Sequence, residues 1–448
     1  MTGVEVGGTA RGANLWSRAA AVAARTPASR NRYVDFLRAV SILAVISGHW
    51  LVAAPYVVDD QLTLGSTLQY QRWTQLLSWV FQVMPVFFFV GGYSNGVSWS
   101  AAQRGGRGYA EWLNGRLQRL AGPVLPLLVV WAAMGIVGHL GGVRPEMVKV
   151  ASQMALIPIW FLAVYVAVVV VVPLTHAVWR RFGMASFWAL AIAVAVDDLL
   201  FFAAGLESVG WLNYGFIWVA VHQLGYAWRD GKLHSGPSAL RWTAAGLTIL
   251  IGLVTLGPYP LSMVSVPGEE VSNSLPPKLP MLLLGMIQIG VALALEAPGR
   301  RWLERPRPWT GTVLVNGMIM TIFLWHLTAS TLVIGLALQL GNVGLTIEPG
   351  SGLWWAVRPI WLGVYLLALV GFALLFGLFE RGGAGPPAAA WRQIAGAALV
   401  CGGLAFLALG GIGGGGWLGL RWWVILLPLL GAVLARVNPL ARPKAGEA

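Results

Sequence analysis

Twelve apolar stretches, each close to the length of a bilayer-crossing helix, follow one another along this chain with only short polar connections between them. A helix needs about 20 apolar residues to span the hydrocarbon core. In lipid its backbone can satisfy its own hydrogen bonds only as a helix or in a closed barrel. The stretches cover approximately residues 34–54, 76–98, 119–138, 155–175, 185–204, 209–228, 242–258, 279–296, 312–338, 356–379, 391–410 and 416–435. The last two are weakened by Gly402, Gly403 and the run Gly413–Gly416. The expected fold is therefore an all-α, polytopic transmembrane bundle of about 12 spans, a ten-helix core plus two C-terminal spans. Composition excludes the alternatives. Of the 448 residues 57% are hydrophobic and 10% charged, against roughly 25% charged in a soluble domain. Neither a soluble enzyme nor a disordered chain has that balance.

The net charge of +13 would suggest nucleic acid in a soluble protein. Here the basic residues sit between the apolar runs and report topology instead, so no nucleic-acid partner is expected. With the N-terminus inside, 23 of the 30 Lys and Arg residues fall in cytoplasmic tails and loops, which obeys the positive-inside rule and places both termini in the cytoplasm. Residues 1–31 read as a basic, disordered cytoplasmic tail without the apolar core of a cleaved signal. Residues 32–380 form the membrane core, 381–436 an accessory helix pair and 437–448 a second cytoplasmic tail. The loop near 259–278 carries five prolines counting Pro258 and reads as a stiffened external rim. Among the basic residues Arg outnumbers Lys by 26 to 4. With the abundant Ala and Gly, this suggests a high-GC bacterium and hence an inner-membrane location.

Ionisable residues inside such spans cost about 2.5–3.5 kcal/mol on insertion scales, so they mark where chemistry is to be sought. Arg38 and His49 lie eleven residues apart in the first span. Eleven steps of a helix overshoot three turns by only about 20° and advance about 16 Å. The two side chains therefore share one stripe, Arg38 at the cytoplasmic edge and His49 near mid-membrane. Asp35, one turn before Arg38, can pair with it. An anchoring arginine and a packed histidine would produce the same pattern; the shared face favours function.

Arg38-x10-His49, preceded by Asp35-Phe36-Leu37, resembles the first-helix motif of the acyltransferase 3 family of integral membrane proteins. Pro85 to Tyr93 resembles the family's second helix, Arg116-x-x-Arg119 its basic entry to the third, Pro158-Ile159-Trp160-Phe161-Leu162 its Trp-x-Leu helix, and Phe323-Leu324-Trp325-His326 its late histidine helix. The order is right and the likeness runs over about residues 32–380. Tyr165 stands where many members carry a Glu, and the last two spans lie beyond the usual core. The resemblance implies transfer of an acyl group, usually acetyl, from cytoplasmic acyl-CoA to a hydroxyl of a carbohydrate, a lipid-linked or another envelope acceptor. No permanently bound cofactor is implied; the partners are acyl-CoA, the acceptor and membrane lipids.

On that reading His49 is the general base, Asp35 fixes Arg38, and His326 supports the site. Arg38, Arg116 and Arg119 suit the donor's phosphates, although Arg116 and Arg119 serve equally as topological anchors. His222 is a candidate donor-side group. Asp197 and Asp198 could hold acceptor hydroxyls or be solvated helix-end residues, and Trp160 belongs to the tryptophans that could line an acceptor cleft. His139, His176 and His234 are expected at interfaces. Gly92-Tyr93-Ser94-Asn95-Gly96 fits G-x-S-x-G but lacks the strand–turn–helix context of a nucleophile elbow. Cys401 reads as structural, and the histidine spacings suggest no metal site. Two other classes remain open: a secondary transporter, which twelve spans would suit, and a nonenzymatic envelope scaffold.

Overall fold

The computed structural model describes residues 14–27, 29–381, 383 and 385–440. Helix α1 (Leu15–Ala24) precedes the first long helix α2 (Arg32–Val52), which leads into a hairpin of β1 (Ala53–Val58) and β2 (Gln61–Ser66). Then come α3 (Met84–Arg104), α4 (Tyr109–Ala121), α5 (Val124–Leu140), α6 (Pro145–Leu156), α7 (Ile159–Val170), α8 (Val172–Phe182), α9 (Met184–Ala204), α10 (Asn213–Arg229) and α11 (Pro237–Leu256). The chain continues through α12 (Leu279–Ala294), α13 (Pro306–Asn316), α14 (Ile319–Gln339), α15 (Gly352–Phe376), α16 (Ala390–Gly410) and α17 (Trp422–Leu434). Short helical turns fill several connections.

Among the described residues, 8 helices are long and apolar enough to cross a membrane, or 10 if each of two bent pairs is one span. The protein is membrane-embedded and polytopic. The expected stretches 209–228 and 416–435 correspond to α10, 17 residues long, and α17, 13 residues long. One bent pair is α6 with α7, angled by 51°. Pro158 stands at this break and supplies no N–H to continue the ladder. The expected N-terminal tail contains α1, which packs on α13, where the Trp309 indole donates to the Ala23 carbonyl at 3.3 Å. Residues 1–13, Ala28 and the segment 441–448, to which parts of the two tail readings refer, lie outside the described residues.

The hairpin turns at Asp59 and Asp60, with φ of 47° and 57°, the pair of positive angles that matches strand twist in a two-residue turn. The proline-rich segment near 259–278 is tied down by side chains. Asn273 donates to the carbonyls of Pro260 and Ser262 at 2.8 and 2.9 Å, and Trp79 donates to that of Leu261 at 2.8 Å.

Two glycine contacts set the packing. Helices α3 and α10 touch backbone to backbone: a Cβ on Gly92 would strike the His222 carbonyl, and one on Gly225 would strike that of Phe89. Helices α16 and α17 meet in the same way through Gly396 and Gly431. Of the glycines that weaken the C-terminal stretches as isolated spans, Gly403 takes part in this packing, since a Cβ there would strike Pro428, whereas Gly402 faces open space. Gly92→Leu is expected to cost more than the about 1–3 kcal/mol of ordinary overpacking, because a backbone carbonyl cannot swing aside. Gly115→Ala, with open space around its Cβ position, is the control. Thermal unfolding in detergent should show a large loss for the first and little change for the second; equal stability of the two would refute the close contact.

Candidate functional site

Helix α2 starts where Asn31 turns its side-chain oxygen onto the Tyr33 and Val34 amides, satisfying N-terminal donors as an N-cap does. From there the helix carries Asp35, Arg38 and His49 inward. His49 meets α14: its Nδ1 lies 2.8 Å from Nε2 of His326. On the far side of that ring, Nδ1 of His326 is 2.6 Å from the Phe323 carbonyl oxygen. A carbonyl can only accept, so Nδ1 of His326 carries a proton. With one proton per ring, Nε2 of His326 is then an acceptor and Nδ1 of His49 the donor. That leaves the His49 Nε2 with its lone pair free. His326 is fully buried, while His49 is partly exposed, so the ring that can accept a proton is the reachable one.

The neighbouring residues hold this pair in place. The Trp50 indole donates to the His326 carbonyl at 3.1 Å, a second tie between α2 and α14. Arg358 of α15, 4% exposed, donates to the carbonyls of Trp50 and Ala53. It thereby occupies acceptors that the C-terminal end of α2 leaves unpaired. Its role was not expected: in the sequence Arg358 counts only as an extracytoplasmic charge, although its position in an apolar span is a signal.

About 16 Å back along α2, the Arg38 guanidinium donates to Asp35 at 3.2 Å and to the Ser94 hydroxyl at 2.9 Å. Arg116 of α4 donates to Ser98. Ser94 and Ser98 are one turn apart on α3, so they bring two arginines from different helices to adjacent positions. Arg38 and Arg119 both lie close enough to Arg116 to act on its charge. Asp35, 5% exposed, also accepts from Arg30 at 2.6 Å. That hydrogen bond raises the Arg30 pKa above its ordinary value, with burial working against it. Arg30 and Arg38 share one carboxylate while Arg116 and Arg119 make no ion pair among the described residues, and the local surplus of positive charge suits an anion.

The comparisons bear on this assembly directly. The family model for the acyltransferase domain matches residues 31–357, well over half of the chain, from the α2 cap to the residue before Arg358. The chain belongs to the acyltransferase 3 family. No curated protein and no solved structure matches it.

The remaining candidates sit in three further places of this acyltransferase 3 protein. His222 on α10 is fully buried, and its Nε2 lies 3.1 Å from the Asn95 amide nitrogen, which can only donate. The same amide reaches the Tyr165 hydroxyl at 3.5 Å, and Tyr165 acts on the charge of Arg116. Asn95 thus joins Tyr165 to His222, with Arg116 in the neighbourhood of Tyr165. Tyr165, the departure from the family's Glu, is part of this link. Ser94 and Asn95 of the rejected G-x-S-x-G pattern serve as hydrogen-bonding struts.

Asp197 and Asp198 are both 2% exposed, so they are not solvated helix-end residues. Asp198 accepts from the Asn213 amide at 2.9 Å, the Tyr259 hydroxyl at 2.8 Å and the Leu279 backbone at 2.8 Å. Asp197 and the Lys278 ammonium, whose nitrogen stands 3.3 Å over the Phe201 ring, are buried beside it. Trp160 is half-buried among Tyr214 and Trp218. His176, expected at an interface, is instead buried at 3% exposure, packed edge-on against the Tyr226 ring with Arg229 Nη1 3.1 Å from its Nε2.

Proposed function

We propose that the protein transfers an acyl group, acetyl in the simplest case, from cytoplasmic acyl-CoA to a hydroxyl of a carbohydrate, glycolipid or other envelope acceptor. The observation that carries this reading is the His49–His326 pair, with a free imidazole lone pair on the same helix that presents Arg38. A hydroxyl is a weak nucleophile, and a positioned neutral imidazole activates it. The acceptor O–H gives its proton to His49 Nε2 as its oxygen attacks the thioester carbonyl. The new C–O bond forms, the C–S bond breaks, and the departing thiolate takes up the proton. While His49 is cationic, its Nδ1–H remains shared with His326, which spreads and steadies the charge in the way a triad's third group does.

Arg38, Arg116 and Arg119 would hold the donor's phosphates. The roughly 16 Å between Arg38 and His49 along α2 is bridged by the flexible arm that separates a coenzyme A thioester from its phosphates. Asp35, shared by Arg30 and Arg38, keeps Arg38 aimed. Asp197, Asp198 and Trp160 would contact the acceptor from the other half of the bundle, and His222, joined through Asn95 to Tyr165, would serve on the donor side. On this reading the N-terminus and the arginines face the cytoplasm of a bacterium, the bundle lies in its inner membrane, and the C-terminal helix pair is an accessory.

The test is purified protein in lipid vesicles supplied with acetyl-CoA and membrane-envelope acceptor extracts. Thioester consumption with a mass gain of one acetyl group on a glycan or lipid, abolished in His49→Gln, is the expected result. Flux of a small molecule without thioester cleavage would replace this reading with a transporter.

A further inference from the structure

A second concentration of arginine lies on the opposite flank of α3 from the Ser94–Ser98 row. The ends of three helices converge there: Ser100, Gln103 and Arg104 from α3, His176 and Arg180 from α8, and Arg229 from α10, with Asp230 following. Together they line an open pocket of about 550 Å³. A positive-inside charge needs only to lie on the correct side of the membrane. Arg229 is far more constrained than that. Its side chain is 16% exposed, its Nε donates to Asp230 at 2.7 Å, and its Nη1 lies 3.1 Å from both the Ser100 hydroxyl and the buried His176 Nε2. The same Nη1 presses on Gly96, where any side chain would collide with it.

Asp230 does not neutralise the pocket. It is already shared between Arg229 and the Trp179 indole, which donates at 2.9 Å. Burial works to raise its pKa, but the hydrogen bonds from Arg229 and Trp179 prevail and hold the carboxyl below its ordinary value. Arg104 and Arg180 are exposed and make no ion pair among the described residues. Three guanidinium groups against one committed carboxylate leave two positive charges facing the same space, with Ser100 and Gln103 as neutral donors beside them. Guanidinium forks favour phosphate oxygens, and a fixed fork loses little freedom on binding.

We propose that Arg104, Arg180 and Arg229 form a second anion site, distinct from the Arg38–Arg116–Arg119 cluster, that binds a phosphate group carried by a lipid headgroup or by a soluble phosphate ester. Arg229 is the pre-set element; Arg104 and Arg180 close on the ligand. The inference does not depend on the acyl-transfer reading, since binding is measured without turnover.

The test uses the full chain, wild type against the double variant Arg104→Gln/Arg180→Gln, whose substituted side chains make no hydrogen bond or ion pair among the described residues. In phosphatidylcholine nanodiscs the protein is titrated with inorganic phosphate and with glycerol 3-phosphate. In nanodiscs of mixed phosphatidylglycerol and phosphatidylcholine, bound phosphatidylglycerol is counted by native mass spectrometry. The double variant should weaken at least one of these probes by about tenfold or more, the scale of a lost charged hydrogen bond. Arg38→Gln should leave that binding in place. A loss confined to phosphatidylglycerol assigns the lipid headgroup, and a loss confined to phosphate or glycerol 3-phosphate assigns the soluble ligand. Equal affinity of wild type and double variant for all three probes overturns the proposal, as does loss of the same binding in Arg38→Gln. His176→Asn, which retains every positive charge but alters the seat of Arg229, should also weaken the affected probe; if it does not, the pre-set fork is not what binds.

Discussion

His49→Gln is expected to lower kcat by about 10²–10⁴-fold, the usual contribution of a positioned general base, and to leave the affinity for acyl-CoA unchanged. Glutamine is close in size and polar, but it offers no basic nitrogen where His49 Nε2 stands. His326→Gln has a smaller effect, about 10–100-fold, the range seen when a partner that fixes a histidine's tautomer is removed. Glutamine can still accept from His49 Nδ1 at 2.8 Å, yet it cannot take over the imidazole's share of the charge. The decisive measurement is the double variant. Because His326 acts only through His49, His49→Gln/His326→Gln should be no slower than His49→Gln alone, the non-additivity expected of groups that work as a unit. If the two losses multiply instead, His326 contacts the substrates on its own account and the relay between the rings is wrong.

The pairing of those two histidines shows what the sequence can carry and what it cannot. The helical, polytopic architecture was readable, because burial in lipid demands long apolar runs and only a helix satisfies its own backbone there; the number of spans was not, since 8 to 10 of the described helices, against the twelve stretches, are long and apolar enough to cross. Arg38 and His49 were readable as neighbours on one stripe, because both lie on a single helix and helical geometry fixes their relation. His326 is 277 residues from His49. No local periodicity links them; only the order of motifs in the family's pattern suggested that the late helix belongs near the first. The same limit hid Arg358, whose partners are carbonyls of α2, and the convergence of Ser94 and Ser98 under two arginines from different helices.

Other differences have local causes that a closer reading could have caught. The hairpin after α2 is announced by Val57-Val58-Asp59-Asp60, a β-branched pair entering two residues that tolerate positive φ. The bend between α6 and α7 is announced by Pro158. His176 is different. It is buried against Tyr226 and Arg229, 50 and 53 residues away, and the tally of positive-inside charges counts that arginine without asking what it touches. A topological rule assigns a charge to a side of the membrane and is silent about its partners.

Arg38→Ala is expected to raise the KM for acyl-CoA by about 10–100-fold, the worth of one or two charge-assisted hydrogen bonds to phosphate, with a much smaller change in kcat. Removing Arg38 also leaves Asp35 with Arg30 as its remaining ion-pair partner, so the surplus of positive charge falls as well as the contact. Arg38→Lys recovers only part of the loss. A single ammonium cannot reproduce the fork that reaches Asp35 and Ser94 at 3.2 and 2.9 Å while facing an anion. Arg116→Ala should act in the same direction, and the pair should couple, since both guanidinium groups are held one turn apart on α3 and would grip one ligand. The control isolates the cause: with a pantetheine thioester that lacks the nucleotide and its phosphates, wild type and Arg38→Ala should have the same KM. Rising salt should raise the wild-type KM for acyl-CoA, because competing ions screen partly exposed charges, and should leave the KM for the truncated donor unaffected. A KM for acyl-CoA that ignores both Arg38 and salt would mean that the basic cluster serves topology and that the donor enters elsewhere.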